Sequence, residues 1–184
     1  MYGLIFAELQ DYVISRFSKD TWELLLKEAG LWPKIYLNFQ EYPDQEAIAL
    51  ITTASRLTGK PPEAIIEDFG EFIVPSLLKV YMSLIKPEWR TLDLIENTEE
   101  IIHTIIRRKT TAANPPTLQC ERVNEKQIIL TYDSPRKMCT LAKGIIKGIA
   151  KHYNETISIN QTTCMLTGSP NCKISVALSS LDAS

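Results

Sequence analysis

The chain of 184 residues contains only two histidines, His103 and His152, and this scarcity makes each imidazole informative. The side chains that share a helical face with His103 are Glu99, Ile102 and Ile106. A lone histidine on such a face is most often structural and is satisfied by a hydrogen bond. A neutral imidazole is also the usual axial ligand of haem iron. Because no second histidine or cysteine stands at helical spacing from His103, a metal bound there would take its other ligands from a cofactor.

A second group of candidate residues is Tyr132, Ser134 and Arg136. Alternation along an extended segment places the three side chains on one side, where each offers a hydrogen-bond donor. The segment leads from a predicted strand into the start of a helix, a position that favours anions. Since arginine pairs with carboxylates through two hydrogen bonds, the group suits one or two carboxylates. Taken alone, the segment is more typical of a surface turn in which Ser134 caps a helix.

The two groups are more informative together than apart. His103 is followed by the pair Pro115-Pro116, and the carboxylate-binding strand comes next. A haem needs an iron ligand at one end and donors for its propionates at the other. The combination therefore predicts a haem site.

The first part of the chain that positions these residues is predicted to be helical. Apolar residues recur at helical spacing through most of the first 108 residues. Asp44 and Asn97 stand where helix N-caps are expected, and Pro75 is expected to kink or break its helix. Residues 109–116 end the helical character and form the one internal boundary.

The remainder of the chain is predicted to form strands around one long helix. Alternating apolar residues predict strands over 117–123, 127–133, 156–163 and 173–179. Residues 136–153 are helical, and Gly144 and Gly148 within them indicate close packing against another element. The predicted fold class is α+β, with a helical N-terminal subdomain followed by an antiparallel sheet crossed by a long helix.

With these motifs, the sequence resembles the haem nitric oxide/oxygen-binding (H-NOX) domain family of the stand-alone bacterial type. The resemblance covers essentially the whole chain. It rests on residues 1–5, residues 69–72, His103 ahead of the Pro-Pro pair and the Tyr-x-Ser-x-Arg motif. It implies one domain over residues 1–184, with a distal subdomain over about 1–60 and a proximal subdomain over about 61–184. A haem b is expected to lie between them.

The resemblance also implies a role for individual residues. His103 is the proximal iron ligand, Tyr132, Ser134 and Arg136 hold the propionates, and Pro116 presses on the haem. The residues expected around the distal pocket are Ile5, Ile73, Leu141 and Ile145. Family members that hold dioxygen use a distal tyrosine where this chain has Leu141, so we expect binding of nitric oxide and carbon monoxide without stable dioxygen binding. A tyrosine from elsewhere, such as Tyr2 or Tyr81, would reverse that expectation.

Signalling is expected to pass to a separate protein, because the resemblance implies a sensor that is not itself an enzyme. In the family, nitric oxide lengthens or breaks the iron–histidine bond, and the partner is commonly a histidine kinase or a cyclic-di-GMP enzyme. A net charge of −2 gives no reason to expect nucleic acid as a partner. No apolar run approaches the roughly 20 residues of a membrane helix, and no signal peptide is evident, so we expect a cytoplasmic protein without membrane contact.

Three cysteines suggest a possible second metal site. Cys139, Cys164 and Cys172 match a zinc-binding, thiol-oxidising subset of H-NOX proteins, but Gln161 stands where that subset has histidine. The site is then three-coordinate with water, completed by His152, or empty with reduced thiols. A zinc or thiol redox sensor on the same fold is therefore the alternative function. An enzyme for a small carboxylate is disfavoured, because no nucleophile–base–orienter set is evident.

Overall fold

The computed structural model describes residues 1–109 and 114–179, so residues 110–113 of the predicted boundary lie outside the described residues. The α-helices in these ranges are α1 (Gly3–Arg16), α2 (Lys19–Glu28), α3 (Asp44–Thr58), α4 (Pro62–Tyr81), α5 (Thr91–Asn97), α6 (Thr104–Lys109) and α7 (Cys139–His152). A π-helical segment, Thr98–His103, joins α5 to α6. Short 3₁₀ turns occupy Met82–Leu84 and Met165–Thr167.

The four strands form one antiparallel sheet in the order β1-β2-β4-β3. Their bounds are β1 (Thr117–Asn124), β2 (Gln127–Asp133), β3 (Ile157–Thr163) and β4 (Cys172–Leu178). Buried side chains alternate along β2, as expected of a strand with one face against a core. The predicted strands agree with these bounds to within one residue at each end. The α+β class is confirmed.

Two sequence predictions about helix starts were wrong. Asp44 is the first residue of α3, but its side chain caps no backbone N–H; it forms ion pairs instead. Asn97 does not begin a helix, because it is the last residue of α5 and the helical path continues into the π-helical segment. The α5 start is marked by the backbone N–H of Arg90, which donates to Asp93 Oδ2 at 3.0 Å. Tertiary ion pairs engage Asp44, whereas Asn97 bonds locally to the carbonyl of Asp93.

Helices α4 and α7 lie in close backbone contact, as Gly144 and Gly148 predicted. A Cβ added at Gly144 would stand 2.1 Å from the carbonyl oxygen of Glu67, and one added at Gly70 would stand 2.6 Å from that of Leu141. Any larger residue would force the two helices apart. Only glycine is therefore small enough for the point where α4 and α7 cross.

Pro75 does not break its helix, because α4 continues to Tyr81. Proline lacks the N–H that would bond the carbonyl of Glu71 one turn earlier. Gly148 of α7 approaches that carbonyl, since a Cβ at this position would lie 2.8 Å from the Glu71 oxygen. The close packing of α7 thus covers the point where the α4 hydrogen-bond ladder is interrupted.

Two hydrophobic clusters meet along α4 and α7. One contains the buried faces of α1, α2 and α3 together with Phe69 and Ile73, and the other contains the sheet, α5 and Val74. Ile145 packs against both clusters. Within the described ranges, no helix combines the length and apolar character needed to cross a membrane.

Candidate functional site

A cavity of about 280 Å³ lies where the two clusters meet. This volume is close to the lower end of the range of roughly 300–1,000 Å³ that is typical of small-molecule and cofactor sites. Its wall is formed by the N-terminal segment, α1, α4, α5, the π-helical segment, β1, β2 and α7, and most of the lining is aliphatic. The polar side chains among the lining residues are Tyr2, Tyr81, Thr98, His103, Asn114, Tyr132, Ser134 and Arg136.

His103 is the last residue of the π-helical segment and lines the cavity. Its ring is largely buried, with 13% of the side chain exposed. Burial lowers the pKa of His103 more than the neighbouring Glu99 carboxylate raises it, so the neutral imidazole is favoured. Segments of π-helix are rare and are frequently found at functional sites. A neutral, buried imidazole facing a cavity can ligate a metal through one ring nitrogen.

The carboxylate of Glu99 holds the other side of the His103 ring. Glu99 Oε2 lies 3.0 Å from His103 Nδ1 and 3.0 Å from the backbone nitrogen of Leu118, while Oε1 accepts from Arg107 Nη1 at 2.6 Å. Burial raises the pKa of Glu99, but these hydrogen bonds outweigh it and leave the pKa below its ordinary value. Arg107 Nη2 also donates to the carbonyl of Pro116 at 2.9 Å. Sequence analysis placed Glu99 beside His103 but assigned it no role.

Tyr132, Ser134 and Arg136 all line the same cavity as His103. Tyr132 and Ser134 are buried, and burial raises the pKa of the Tyr132 phenol, which therefore stays protonated. The Tyr132 hydroxyl accepts from the backbone N–H of Met138 at 3.2 Å, and Ser134 Oγ accepts from the N–H of Arg136 at 3.3 Å. The turn between β2 and α7 thus fixes the group at one end of the cavity.

The guanidinium of Arg136 is partly committed to protein groups. Its Nε donates to Asp44 Oδ2 at 2.8 Å and its Nη1 donates to the carbonyl of Asn114 at 2.5 Å. Nη2 has no hydrogen-bond partner among the described residues and remains available to a bound anion. Asp44 was missed as a site residue because no local pattern connects it with a residue so distant in sequence.

The apolar residues predicted for the distal pocket do not all line the cavity. Ile5, Leu141 and Ile145 do so, and so does Pro116, which was expected to press on the haem. Ile73 does not line the cavity: it is fully buried in the cluster against which Ile5, Leu141 and Ile145 pack, and the adjacent Val74 lines the cavity. Successive residues on an α-helix point about 100° apart, so the two side chains face different clusters. Tyr2 and Tyr81 also line the wall.

The thiols of Cys139, Cys164 and Cys172 form a separate group, with their Sγ atoms all within 4.8 Å of one another. Gln161 Nε2 lies 3.6 Å from Cys139 Sγ and donates to the carbonyl of Thr163. The pKa of Cys164 is below its ordinary value, because hydrogen bonds from backbone N–H groups and the other thiols outweigh the effect of burial, whereas burial raises that of Cys172 to about 11. Three soft ligands are therefore together without a histidine. His152 is exposed and is not a member of the group.

The α+β fold encloses a mostly aliphatic cavity lined by one imidazole and by the donors of Tyr132, Ser134 and Arg136, an arrangement typical of cofactor-binding proteins. The chain belongs to the Haem-NO-binding family, whose model matches residues 2–161. The expected family is confirmed. Its domains are haem-based sensors of diatomic gases in guanylate cyclases and bacterial proteins, and they are not themselves catalytic.

Curated relatives and solved structures agree with this assignment. Soluble guanylate cyclases gcy-35 and gcy-31 of Caenorhabditis elegans are each 22% identical over 85% of the chain, which spans only 23% and 22% of their lengths. An H-NOX protein from S. oneidensis in the Fe(II)NO ligation state superimposes with a TM-score of 0.91, covering 97% of this chain and 99% of that one at 24% identity. The unliganded H-NOX protein from K. algicida gives a TM-score of 0.87 over 97% of both chains at 20% identity. At such identities the structural likeness establishes the fold.

Proposed function

We propose that this chain binds a haem b in the cavity and senses nitric oxide and carbon monoxide there. The observation that carries the proposal is the shared wall of the cavity. It combines a neutral imidazole, His103, with the donor group of Tyr132, Ser134 and Arg136, and the rest is mostly aliphatic. This is the donor set that a flat apolar macrocycle with an iron centre and two carboxylates requires.

Each residue of the wall would then have a defined task. His103 would ligate iron through Nε2, because Nδ1 is bonded to Glu99. Tyr132, Ser134 and the available Nη2 of Arg136 would hold the propionates. Bound haem supplies an iron atom that accepts a diatomic gas. Pro116 lines the cavity and would contact the haem.

Selectivity for nitric oxide over dioxygen would follow from the aliphatic side chains of Ile5, Leu141 and Ile145. Bound dioxygen carries partial negative charge and is stabilised by a hydrogen-bond donor. None of these three residues offers one. Nitric oxide and carbon monoxide bind ferrous iron without that help. The chain would therefore favour nitric oxide over dioxygen provided that the phenols of Tyr2 and Tyr81, which also line the wall, donate no hydrogen bond to the bound gas.

The signal would pass to a separate signalling protein, such as a histidine kinase or a cyclic-di-GMP enzyme. We also propose that residues 1–184 act as one domain, in which a distal part of about 1–60 and a proximal part of about 61–184 shift relative to each other. The meeting of the two hydrophobic clusters around the cavity supports this arrangement, because a ligand there contacts both. A cytoplasmic location stays a prediction.

Haem titration with a matched pair of histidine variants tests the site. His103→Ala should lose the ferrous spectrum of histidine-ligated haem, and free imidazole should restore it. His152→Ala removes the other, exposed imidazole and should behave like the wild type. Equal spectra for wild type and His103→Ala would overturn the assignment of the iron ligand.

A zinc or thiol redox sensor is the second candidate, and the clustering of Cys139, Cys164 and Cys172 supports it. The comparisons give zinc no support, since the family match concerns haem. Zinc analysis of the purified protein and titration of its thiols before and after mild peroxide treatment would test the proposal. Loss of a redox response in Cys164→Ser, with gas binding intact, would favour this candidate.

A further inference from the structure

Glu99 occupies an unusual position, because three donors from three parts of the fold converge on one carboxylate. These are the imidazole of His103, the guanidinium of Arg107 in α6 and the backbone N–H of Leu118 in β1. Arginine remains charged in proteins and an amide N–H can only donate, so two of the three contacts require an acceptor. Paired with the Arg107 guanidinium, Glu99 is an ionised carboxylate that can only accept, so the third contact is a donation from His103 Nδ1 to Glu99 Oε2.

This contact favours the tautomer of His103 that is protonated on Nδ1. With the ring proton on Nδ1, the lone pair is on Nε2, the nitrogen that would meet iron. A carboxylate bonded to the far nitrogen of a histidine ligand orients the ring and increases its basicity. The effect on basicity grows with the negative charge that the Glu99 carboxylate presents to the imidazole. The ion pair with Arg107 partly neutralises that charge.

The backbone at Glu99 is itself held in place. The π-helical segment begins one residue earlier at Thr98, and the hydroxyl of Thr104 donates to the Glu99 carbonyl at 3.1 Å. The hydrogen-bond chain continues from Glu99 through Arg107 to the carbonyl of Pro116. A displacement of the imidazole therefore has a direct path to Pro116 on the cavity wall.

We propose that Glu99 is a positioning residue that sets how strongly His103 donates to the haem iron, and that Arg107 tempers this effect. The inference rests on the proposed haem site. Glu99 would increase the basicity of His103 Nε2, and Arg107 would limit that increase. The ease with which nitric oxide releases His103 is then set by the pair together with the distal pocket.

The decisive measurement is the iron–histidine stretching frequency of the reduced, haem-loaded protein, recorded by resonance Raman spectroscopy. Glu99→Gln keeps the size of the side chain but removes its charge, and should shift the band to lower frequency. Arg107→Gln removes the cation that partly neutralises Glu99. It should shift the band to higher frequency. Glu100→Gln removes the charge of the exposed neighbouring residue and should leave the band unchanged.

The release of His103 provides a second readout from the same samples. After addition of nitric oxide, the fraction of protein that has lost the histidine ligand should be larger in Glu99→Gln and smaller in Arg107→Gln than in the wild type. Retention of haem by Glu99→Gln should fall by roughly tenfold or more, as is usual when the outer partner of a ligand is removed. Bands at the wild-type frequency in both variants would overturn the inference.

Failure of the inference can be distinguished from failure of the haem site. If the wild type shows no iron–histidine band, the proposed function itself fails. If Glu99→Gln takes up no haem, the inference is tested by Arg107→Gln alone. Its iron–histidine band should then lie at higher frequency than that of the wild type. Ring nitrogen chemical shifts of His103 in the haem-free protein provide a test without iron: the wild type should hold its proton on Nδ1, and Glu99→Gln should show both tautomers. A wild-type ring protonated on Nε2 would contradict the inference directly.

Discussion

The side chain of Arg136 donates from Nε to Asp44 Oδ2 across 2.8 Å, although the two residues are 92 positions apart in the sequence. Asp44 begins α3, and Arg136 lies in the turn between β2 and α7. The α-amino group of Met1 lies 2.8 Å from the other carboxylate oxygen of Asp44. This ion pair joins the N-terminal helices to the end of the cavity where the propionates are expected.

Asp44→Asn should destabilise the protein by about 0.5–1 kcal/mol at neutral pH, because the carboxylate is partly exposed and solvent screens the ion pair. Burial raises the pKa of Asp44, but the hydrogen bonds and charges of the N-terminus and Arg136 lower it below its ordinary value of 3.8. A carboxyl with a lowered pKa contributes stability above its ordinary pKa and loses that contribution as the pH falls through the lowered value.

Urea unfolding of wild type and Asp44→Asn between pH 7 and pH 3 provides the measurement. The difference in unfolding free energy should be constant down to about pH 4 and should shrink below it. Asp11→Asn, at an exposed position of α1, should show no such difference. A difference in unfolding free energy that stays the same at every pH would mean that Asp44 does not stabilise the protein through its charge.

Gly144→Ala should destabilise the protein by about 1–3 kcal/mol, as overpacked positions do. Alanine improves helix propensity by about 1 kcal/mol, but here its Cβ would meet the Glu67 carbonyl at 2.1 Å. Thr52→Ala, at an exposed position of α3, gains propensity without a clash and should be neutral or slightly stabilising. Thermal unfolding of both variants distinguishes the outcomes, and a stabilised Gly144→Ala would contradict the close helix contact.

Arg136→Gln should weaken haem binding by roughly tenfold or more. A hydrogen bond to a charged group contributes about 1.5–3 kcal/mol, and 1.4 kcal/mol corresponds to a factor of ten. Arg122→Gln removes an arginine of β1 that pairs with Asp93 and Glu96, outside the cavity, and should leave haem affinity unchanged. Affinities from haem transfer experiments test this pair. Equal losses in both variants would indicate a general effect on folding.

Leu141→Tyr should convert the site into one that keeps dioxygen, because the added phenol supplies a hydrogen-bond donor within the cavity. Leu141→Phe adds the same ring without the hydroxyl and should not. Absorption spectra of the reduced variants in air, with rates of autoxidation, make the comparison. If the wild type already held dioxygen, a phenol of Tyr2 or Tyr81 would be the donor and the selectivity proposal would fail.

Local patterns predicted the fold class and proposed candidate site residues, whereas they could not predict long-range contacts. His103 and the Tyr132–Arg136 motif were predicted only when taken together, and the structure places them on the wall of one cavity. The role of Asp44 depends on a partner in another part of the chain, so its position suggested only a helix cap. Ile73 was expected at the distal pocket from the resemblance alone, and the sequence did not show that Val74 is the residue that lines the cavity.

The visible absorption spectrum of the reduced protein, followed in air and separately with nitric oxide, tests the central claim most directly. We predict a haem spectrum that changes to that of a five-coordinate nitrosyl haem with nitric oxide, showing release of His103, and no stable dioxygen complex in air. Absence of haem after reconstitution would contradict the sensor proposal, and a stable spectrum of dioxygen-bound haem would contradict its selectivity.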